Sequence, residues 1–307
     1  MIILAVESSC DETAVALVRD GRTVLADCIA SSVEMHRIYG GVVPEIASRK
    51  HIEVIAQLAD QALEQAGLSR GDIDAVAVTY APGLIGAVLV GVSFAKSVAY
   101  ALGVPLIPVH HVRGHIAANY LAHPDLEPPF VCLCVSGGTS LLVDVKGYTE
   151  MEILGATRDD AAGECFDKIA RVMGLGYPGG APLDRAAQGG NDKAFSLPRV
   201  HIQDAPLDMS FSGLKTAMLN LIHNAQQKGE ELPVADLAAS FSAAVSEELV
   251  PRTMAAAQAK GYGKVAVVGG VAANSRIRRD LEQACQAAGC TLYLPPLKLC
   301  GDNGSMI

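Results

Sequence analysis

The chain has 307 residues, half of them hydrophobic, which is enough for two domains with cores of their own. A formal net charge of −9 argues against broad nucleic-acid affinity, because such binding rests on neutralising phosphates. Only local basic patches remain: Arg49-Lys50-His51, Lys168 with Arg171, and Arg276 with Arg278-Arg279, each of which reads first as a solvated helix face.

The opening residues MIILAVESSCDE alternate like a strand and lack a basic stretch and a cleavage site, so no secretion signal is expected. Ile2–Val6 and Ala14–Val18 are apolar runs flanking the polar loop Glu7-Ser8-Ser9-Cys10-Asp11-Glu12-Thr13, and Thr23–Ala30 gives a third strand. A helix is expected from about Pro44 to Ala66, with Ile46, Ile52, Ile55 and Leu58 marking one face. Ala75–Thr79 reads as a buried strand ended by Pro82-Gly83. The most apolar window follows, Gly83–Leu102; with Lys96 and several glycines and serines inside it, it predicts a buried helix rather than a membrane span. Leu106–Val109 is a further strand, and a helix is expected to start near His111.

The second half repeats this order. Phe130–Val135 and Leu141–Val145 flank Ser136-Gly137-Gly138-Thr139-Ser140, and Met151–Leu154 gives a third strand. A helical insert over about Ala161–Lys260 is broken by turns at Gly174–Pro182 and Leu197–Pro206. Strand Lys264–Val268, helix Asn274–Ala288 and strand Thr291–Leu294 complete the repeat. The duplication predicts two α/β domains, 1–128 and 129–307, facing each other across a cleft, with the insert in the second. After its fifth strand the second half has Cys300-Gly301-Asp302-Asn303-Gly304 and no closing helix, so a truncated end is expected. The eight cysteines form no C-x-x-C pair, and reduced thiols in the cytoplasm are the natural reading.

Several positions carry possible chemistry. His111 and His115 fall one turn apart on one helix face, where two imidazoles can share a divalent metal or simply sit on a surface. Val112 follows His111 where a zinc protease of the H-E-x-x-H type needs its glutamate, which argues against proteolysis. The tight turn Ser136–Thr139 offers bare backbone N–H groups to a phosphate, or is an ordinary hairpin. Gly269–Asn274 opens a helix, where an anion is favoured, although Asn274 reads equally as the N-cap. Asp160, Glu164 and Asp167 with Lys168 form an acidic helix face or a site. Asp11 and Glu12 are acid–base candidates or turn residues.

Taken together in one order, Glu7–Thr13, Val43-Pro44-Glu45-Ile46-Ala47-Ser48-Arg49, H-x3-H, Ser-Gly-Gly, Gly163–Lys168, Ser210-Phe211-Ser212-Gly213-Leu214-Lys215-Thr216, Gly269–Asn274 and Gly301–Gly304 closely resemble the tRNA N6-adenosine threonylcarbamoyltransferase family, across essentially the whole chain. The resemblance implies α/β architecture with duplicated actin/Hsp70/sugar-kinase-like (ribonuclease H-like) domains. It implies transfer of a threonylcarbamoyl group from threonylcarbamoyl-adenylate to the adenosine 3′ of the anticodon, in tRNAs reading codons that start with A. One divalent metal, iron before zinc or magnesium, would be held by His111, His115 and Asp302. ATP, ADP or the adenylate would contact Cys134-Val135-Ser136-Gly137-Gly138-Thr139, Asp167, Gly180, Asp184 and Asn274. A paralogous inactive subunit and a small P-loop ATPase are the implied partners, besides tRNA; no membrane is involved. Thr139 departs from the His or Asn usual there, and Arg113 stands where many bacterial members have Glu.

A mixed carboxylic–phosphoric anhydride is already activated, so the expected task is to position it against the amine, with Asp11 or Glu12 assisting deprotonation. The rival readings are a nucleotide-binding regulatory ATPase of the same fold and, behind it, a metalloprotease.

Overall fold

The computed structural model describes residues 1–200 and 202–307, so the turn expected over 197–206 includes one residue, His201, outside the described residues. Two compact units are present, Met1–Asp125 with Pro296–Ile307, and Leu126–Pro295.

The first unit contains β1 (Ile2–Glu7), β2 (Glu12–Arg19), β3 (Thr23–Ser31), the short α1 (Val33–His36), α2 (Pro44–Ala66), β4 (Ala75–Ala81), α3 (Ile85–Leu102), β5 (Leu106–His110) and α4 (His111–Ala122). Its sheet runs β3-β2-β1-β4-β5, with β1 antiparallel to β2 and parallel to β4. On one face Leu4, Val6, Val15, Leu17, Val76 and Val78 pack against Ile55, Leu58 and Ala62 of α2 and Ala95 and Ala99 of α3. Ala5, Ala16 and Ala77 line the opposite face. Strands buried on both faces carry the continuous apolar runs seen in β1, β2 and β4. Proline in its first turn starts α2, and left-handed Gly67 (φ 63°) ends it.

The second unit contains β6 (Phe130–Val135), β7 (Ser140–Val145), β8 (Met151–Ala156), α5 (Ala162–Val172), α6 (Gly180–Ala186), α7 (Ser212–Lys228), α8 (Val234–Lys260), β9 (Lys264–Val268), α9 (Ser275–Ala288) and β10 (Thr291–Tyr293). Read from its β8 edge, its sheet runs β8-β7-β6-β9-β10, the same topology as the first. The expected duplication is therefore present, and helices α5 to α8 form the insert.

Two features differ from the sequence reading. The segment after Pro295 joins the first unit, not the second, and the division falls at 125/126. Side-chain acceptors fix it there: the Asp27 carboxylate of β3 accepts the N–H groups of Gly304 and Ser305, each at 3.1 Å. Met306 and Leu299 pack on Ala118 of α4, and a Cβ on Gly304 would come within 2.7 Å of the Ala16 nitrogen, so only glycine permits this approach. Helix α3 is not buried as a whole. It buries the stripe Ala87, Gly91, Ala95 and Ala99 and leaves Ile85 (89%), Leu89 (63%) and Tyr100 (91%) exposed. By length and composition alone it would pass as a membrane span, with 22% of its residues buried.

Candidate functional site

In the first unit, β5 passes directly into α4, whose first residue is His111. One turn on, His115 lies on the same face, the two rings edge to face with centroids 4.6 Å apart. Asp302 reaches them from the far end of the chain: its Oδ1 stands 3.1 Å from His115 Nε2 and 3.6 Å from His111 Nε2. One ligand atom from each residue lies within 4.8 Å of the other two. The segment carrying Asp302 is braced by Asn303, whose Oδ1 accepts from Ser305 Oγ and from the Met306 N–H.

The donor set fits a divalent cation. His115 is buried, and both of its ring nitrogens lack a hydrogen-bond partner. An orphaned imidazole facing a carboxylate, with a second imidazole beside it, has the composition of a three-ligand site with a position left open. Electrostatics agree. Burial alone would lower the His111 pKa, but the hydrogen bond to Glu7 and the charges of Asp302 and Glu7 outweigh it and raise it to about 9. Burial works to raise Asp302, yet the approach of His115 and the charge of His111 hold it below the usual carboxylate range.

Asp11 and Glu12 belong to the same unit. Their loop is pinned by two buried histidines. His51 donates through Nε2 to the Cys10 carbonyl at 2.9 Å and meets the Thr13 hydroxyl through Nδ1 at 2.7 Å. His36 meets Ser32 Oγ, which in turn donates to the Asp11 carbonyl at 2.8 Å. Burial, then the negative charges of Asp11 and Asp302, push the Glu12 carboxyl up to about 9, which places it within the field of the metal cluster. The expected acid–base pair and metal ligands thus share one unit.

The expected nucleotide residues lie in the second unit. Ser136–Thr139 is the tight turn between β6 and β7, closed by Ser136 N–H to the Thr139 carbonyl at 2.8 Å. A Cβ at Gly137 or Gly138 would meet nothing within 4 Å, so the loop's open side is free for a ligand. Its other side is covered: a Cβ on Gly163 would come within 2.5 Å of the Ser136 carbonyl, and the Gly269 backbone lies against that of Val135. Cys134 and Val135 are buried, leaving only their backbone to offer. Three of the expected contacts have structural partners. Asp167 accepts the Gly179 N–H at 2.6 Å, just before Gly180 opens α6. Asp184 accepts from Ser275 N–H and Oγ at the start of α9, and Asn274 caps that helix by accepting from Ile277. The N-cap reading of Asn274 is the one its side chain fulfils.

Several of the basic candidates are engaged internally. Arg276 pairs with Asp192 and Asp280, Lys168 with Glu164 and Asp160, and Lys50 with Glu53. The sequence reading passed over His36 and Asp27, and gave Glu7 and His51 no part in the site they support.

The profile of the tRNA N6-adenosine threonylcarbamoyltransferases matches residues 23–307. Curated relatives of that name include one from Moorella thermoacetica, 56% identical over 99% of this chain and 89% of its own length. One from Clostridium botulinum is 53% identical over 99% and 90%, and one from Clostridioides difficile 50% identical over 100% and 91%. Among solved structures, HypF of T. kodakarensis superposes with a TM-score of 0.69 at 17% identity, covering 99% of this chain and 47% of that one. Component A of the Acidaminococcus fermentans (R)-2-hydroxyglutaryl-CoA dehydratase superposes at 0.56 and 15% identity, over 100% and 95%. Those two share the fold alone. The chain belongs to the tRNA N6-adenosine threonylcarbamoyltransferase family.

Proposed function

We propose that the chain transfers a threonylcarbamoyl group from threonylcarbamoyl-adenylate to the N6 amine of the adenosine 3′ of the anticodon, in tRNAs reading codons that start with A. Membership of the family carries this reading, and the His111–His115–Asp302 cluster is the observation that supports it. In the reaction the amine nitrogen bonds to the carbamoyl carbon, the bond from that carbon to the phosphate oxygen breaks, and AMP leaves with the electron pair. The displaced N–H proton goes to the Asp11/Glu12 pair, whose loop is held beside the metal ligands by His51 and Ser32. A divalent cation, iron before zinc or magnesium, would be held by His111, His115 and Asp302, and bound there it would supply Lewis-acid stabilisation of developing negative charge. The open backbone of Ser136–Thr139 is suited to the phosphate of the adenylate, or of ATP or ADP. No glutamate follows His111 to activate water, which disfavours proteolysis.

Partners belong to the same proposal. The exposed apolar residues Ile85, Leu89 and Tyr100 of α3 form a face suited to a paralogous subunit, with a small P-loop ATPase as third component. The net charge of −9, with Arg276 and Lys168 paired internally, is consistent with tRNA affinity supplied partly by such partners. The expected compartment is the cytoplasm, where tRNA and reduced thiols coexist. The test is nucleoside mass analysis of tRNA incubated with the chain, its partners, threonine, bicarbonate and ATP. Threonylcarbamoyladenosine should appear, and should be lost in Asp11→Ala and Glu12→Ala variants that still bind nucleotide.

A further inference from the structure

Glu7 ends β1 with its side chain fully buried, an unusual place for a carboxylate. Three donors converge on it. The Ser9 N–H reaches Oε1 at 2.5 Å, the Thr79 hydroxyl of β4 donates to Oε2, and His111 Nδ1 lies 3.1 Å from the same Oε2. Ser9 Oγ also stands 3.1 Å from His111 Nδ1.

This arrangement fixes which ring nitrogen carries hydrogen. A bare Nδ1 would aim a lone pair at the buried Glu7 carboxylate, a repulsion that donation from the Ser9 hydroxyl would offset only in part. An N–H there instead makes a charge-assisted hydrogen bond. His111 Nε2, the atom facing Asp302, is then the nitrogen left with a lone pair when the ring is neutral. We infer that Glu7 is a positioning residue for the metal cluster: its buried carboxylate holds hydrogen on His111 Nδ1, so that Nε2 is presented to the cation. The inference rests on the metal reading above and adds a residue outside the ligand set.

Substitution of Glu7 by glutamine has a defined consequence, because Oε1 and Oε2 each already accept. If the amide nitrogen takes the Oε2 place, it confronts His111 Nδ1–H and favours the other tautomer, which puts hydrogen on Nε2 and blocks the metal. If it takes the Oε1 place, it confronts the Ser9 N–H and shifts the loop. Thr79→Val, by contrast, removes one donor to the carboxylate and leaves the contact with His111 in place.

The test is a titration of the metal-free full chain with zinc, in competition with a chromophoric chelator. The unaltered chain should bind zinc, Glu7→Gln should bind it roughly 10–100-fold more weakly, and Thr79→Val should lose thermal stability without losing zinc affinity. Long-range 1H–15N imidazole spectra of the zinc-loaded unaltered chain should show His111 protonated on Nδ1, a readout that needs no variant to fold. Equal affinities for Glu7→Gln and the unaltered chain, an equal loss in Thr79→Val, or metal on Nδ1 would each overturn the inference. No zinc binding by the unaltered chain would overturn the metal reading beneath it.

Discussion

His115 Nε2 and Asp302 Oδ1 stand 3.1 Å apart, the imidazole buried and the carboxylate partly exposed. With a His111 nitrogen also within 4.8 Å, these atoms are placed to share one cation. Replacing His115 by Ala leaves a cavity at a buried position and takes the imidazole away from Asp302, so the metal-free chain should melt at a lower temperature. Zinc affinity should fall further than the roughly 10–100-fold that loss of a supporting group costs. Because a metal needs a neutral imidazole, it competes with the proton of His111, whose pKa lies at about 9. Affinity measured in the metal-free chain should therefore rise by about tenfold per pH unit from 7 toward 9.

Asp27 touches none of the ligands, yet it secures the segment that delivers one. Its carboxylate takes two backbone N–H groups, at Gly304 and Ser305. Charge-assisted bonds of this kind contribute roughly 1.5–3 kcal/mol each before relaxation. Asp27→Ala should lower both the melting temperature and zinc affinity. Asp27→Asn, which retains one acceptor oxygen, should recover part of both. A thermal loss with unchanged zinc affinity would show that the segment stays in place without Asp27.

At Gly137 the space around a new Cβ is empty within the protein. Gly137→Val should accordingly leave the unfolding transition close to that of the unaltered chain. If the open side of the loop receives phosphate, the same change should abolish ADP binding in a calorimetric titration, and retained binding would remove the loop from the site.

Burial lowers the pKa of His51 from 6.5, with the hydrogen bond to the Cys10 carbonyl opposing that shift. The unfolded chain therefore takes up this proton first as pH falls. Stability is fully present above 6.5, begins to drop below it, and stops responding once the pH passes below the depressed folded value. The slope per histidine cannot exceed about 1.36 kcal/mol per pH unit. His110 is shifted the same way by burial and the Arg113 charge, whereas His111 acts above 6.5 and in the opposite sense. In chemical denaturation between pH 5 and 7, His51→Gln should show a shallower dependence than the unaltered chain. It should also slow transfer, because Cys10–Thr13 loses its brace.

The duplicated fold was legible because each half writes the same order of strand and helix periods, and because β1, β2, β4 and β6 are apolar on both faces. The two histidines were legible from helical spacing once α4 was placed. Asp302 was not legible from spacing alone, and the membership of 296–307 in the first unit depends on Asp27, Ala16 and Ala118, contacts that no local pattern encodes. Apolar composition suggested a buried α3. Composition does not separate a face covered by the chain's own core from one left open, and only the alanine and glycine stripe turned out to be fully buried, with Val90, Phe94 and Val98 half-buried beside it. Glu7 and His51 read as loop polarity and helix surface, since burial of a charged or titratable side chain is decided by tertiary partners rather than by sequence neighbours.

The most direct test of the central claim supplies preformed threonylcarbamoyl-adenylate and tRNA to the chain with its partners in a single turnover, and quantifies AMP and the modified nucleoside by mass. One AMP should be released for each threonylcarbamoyladenosine formed, and Asp302→Ala should suppress both together. AMP release without modified tRNA, or metal-dependent cleavage of a glycoprotein by the same preparation, would contradict the account.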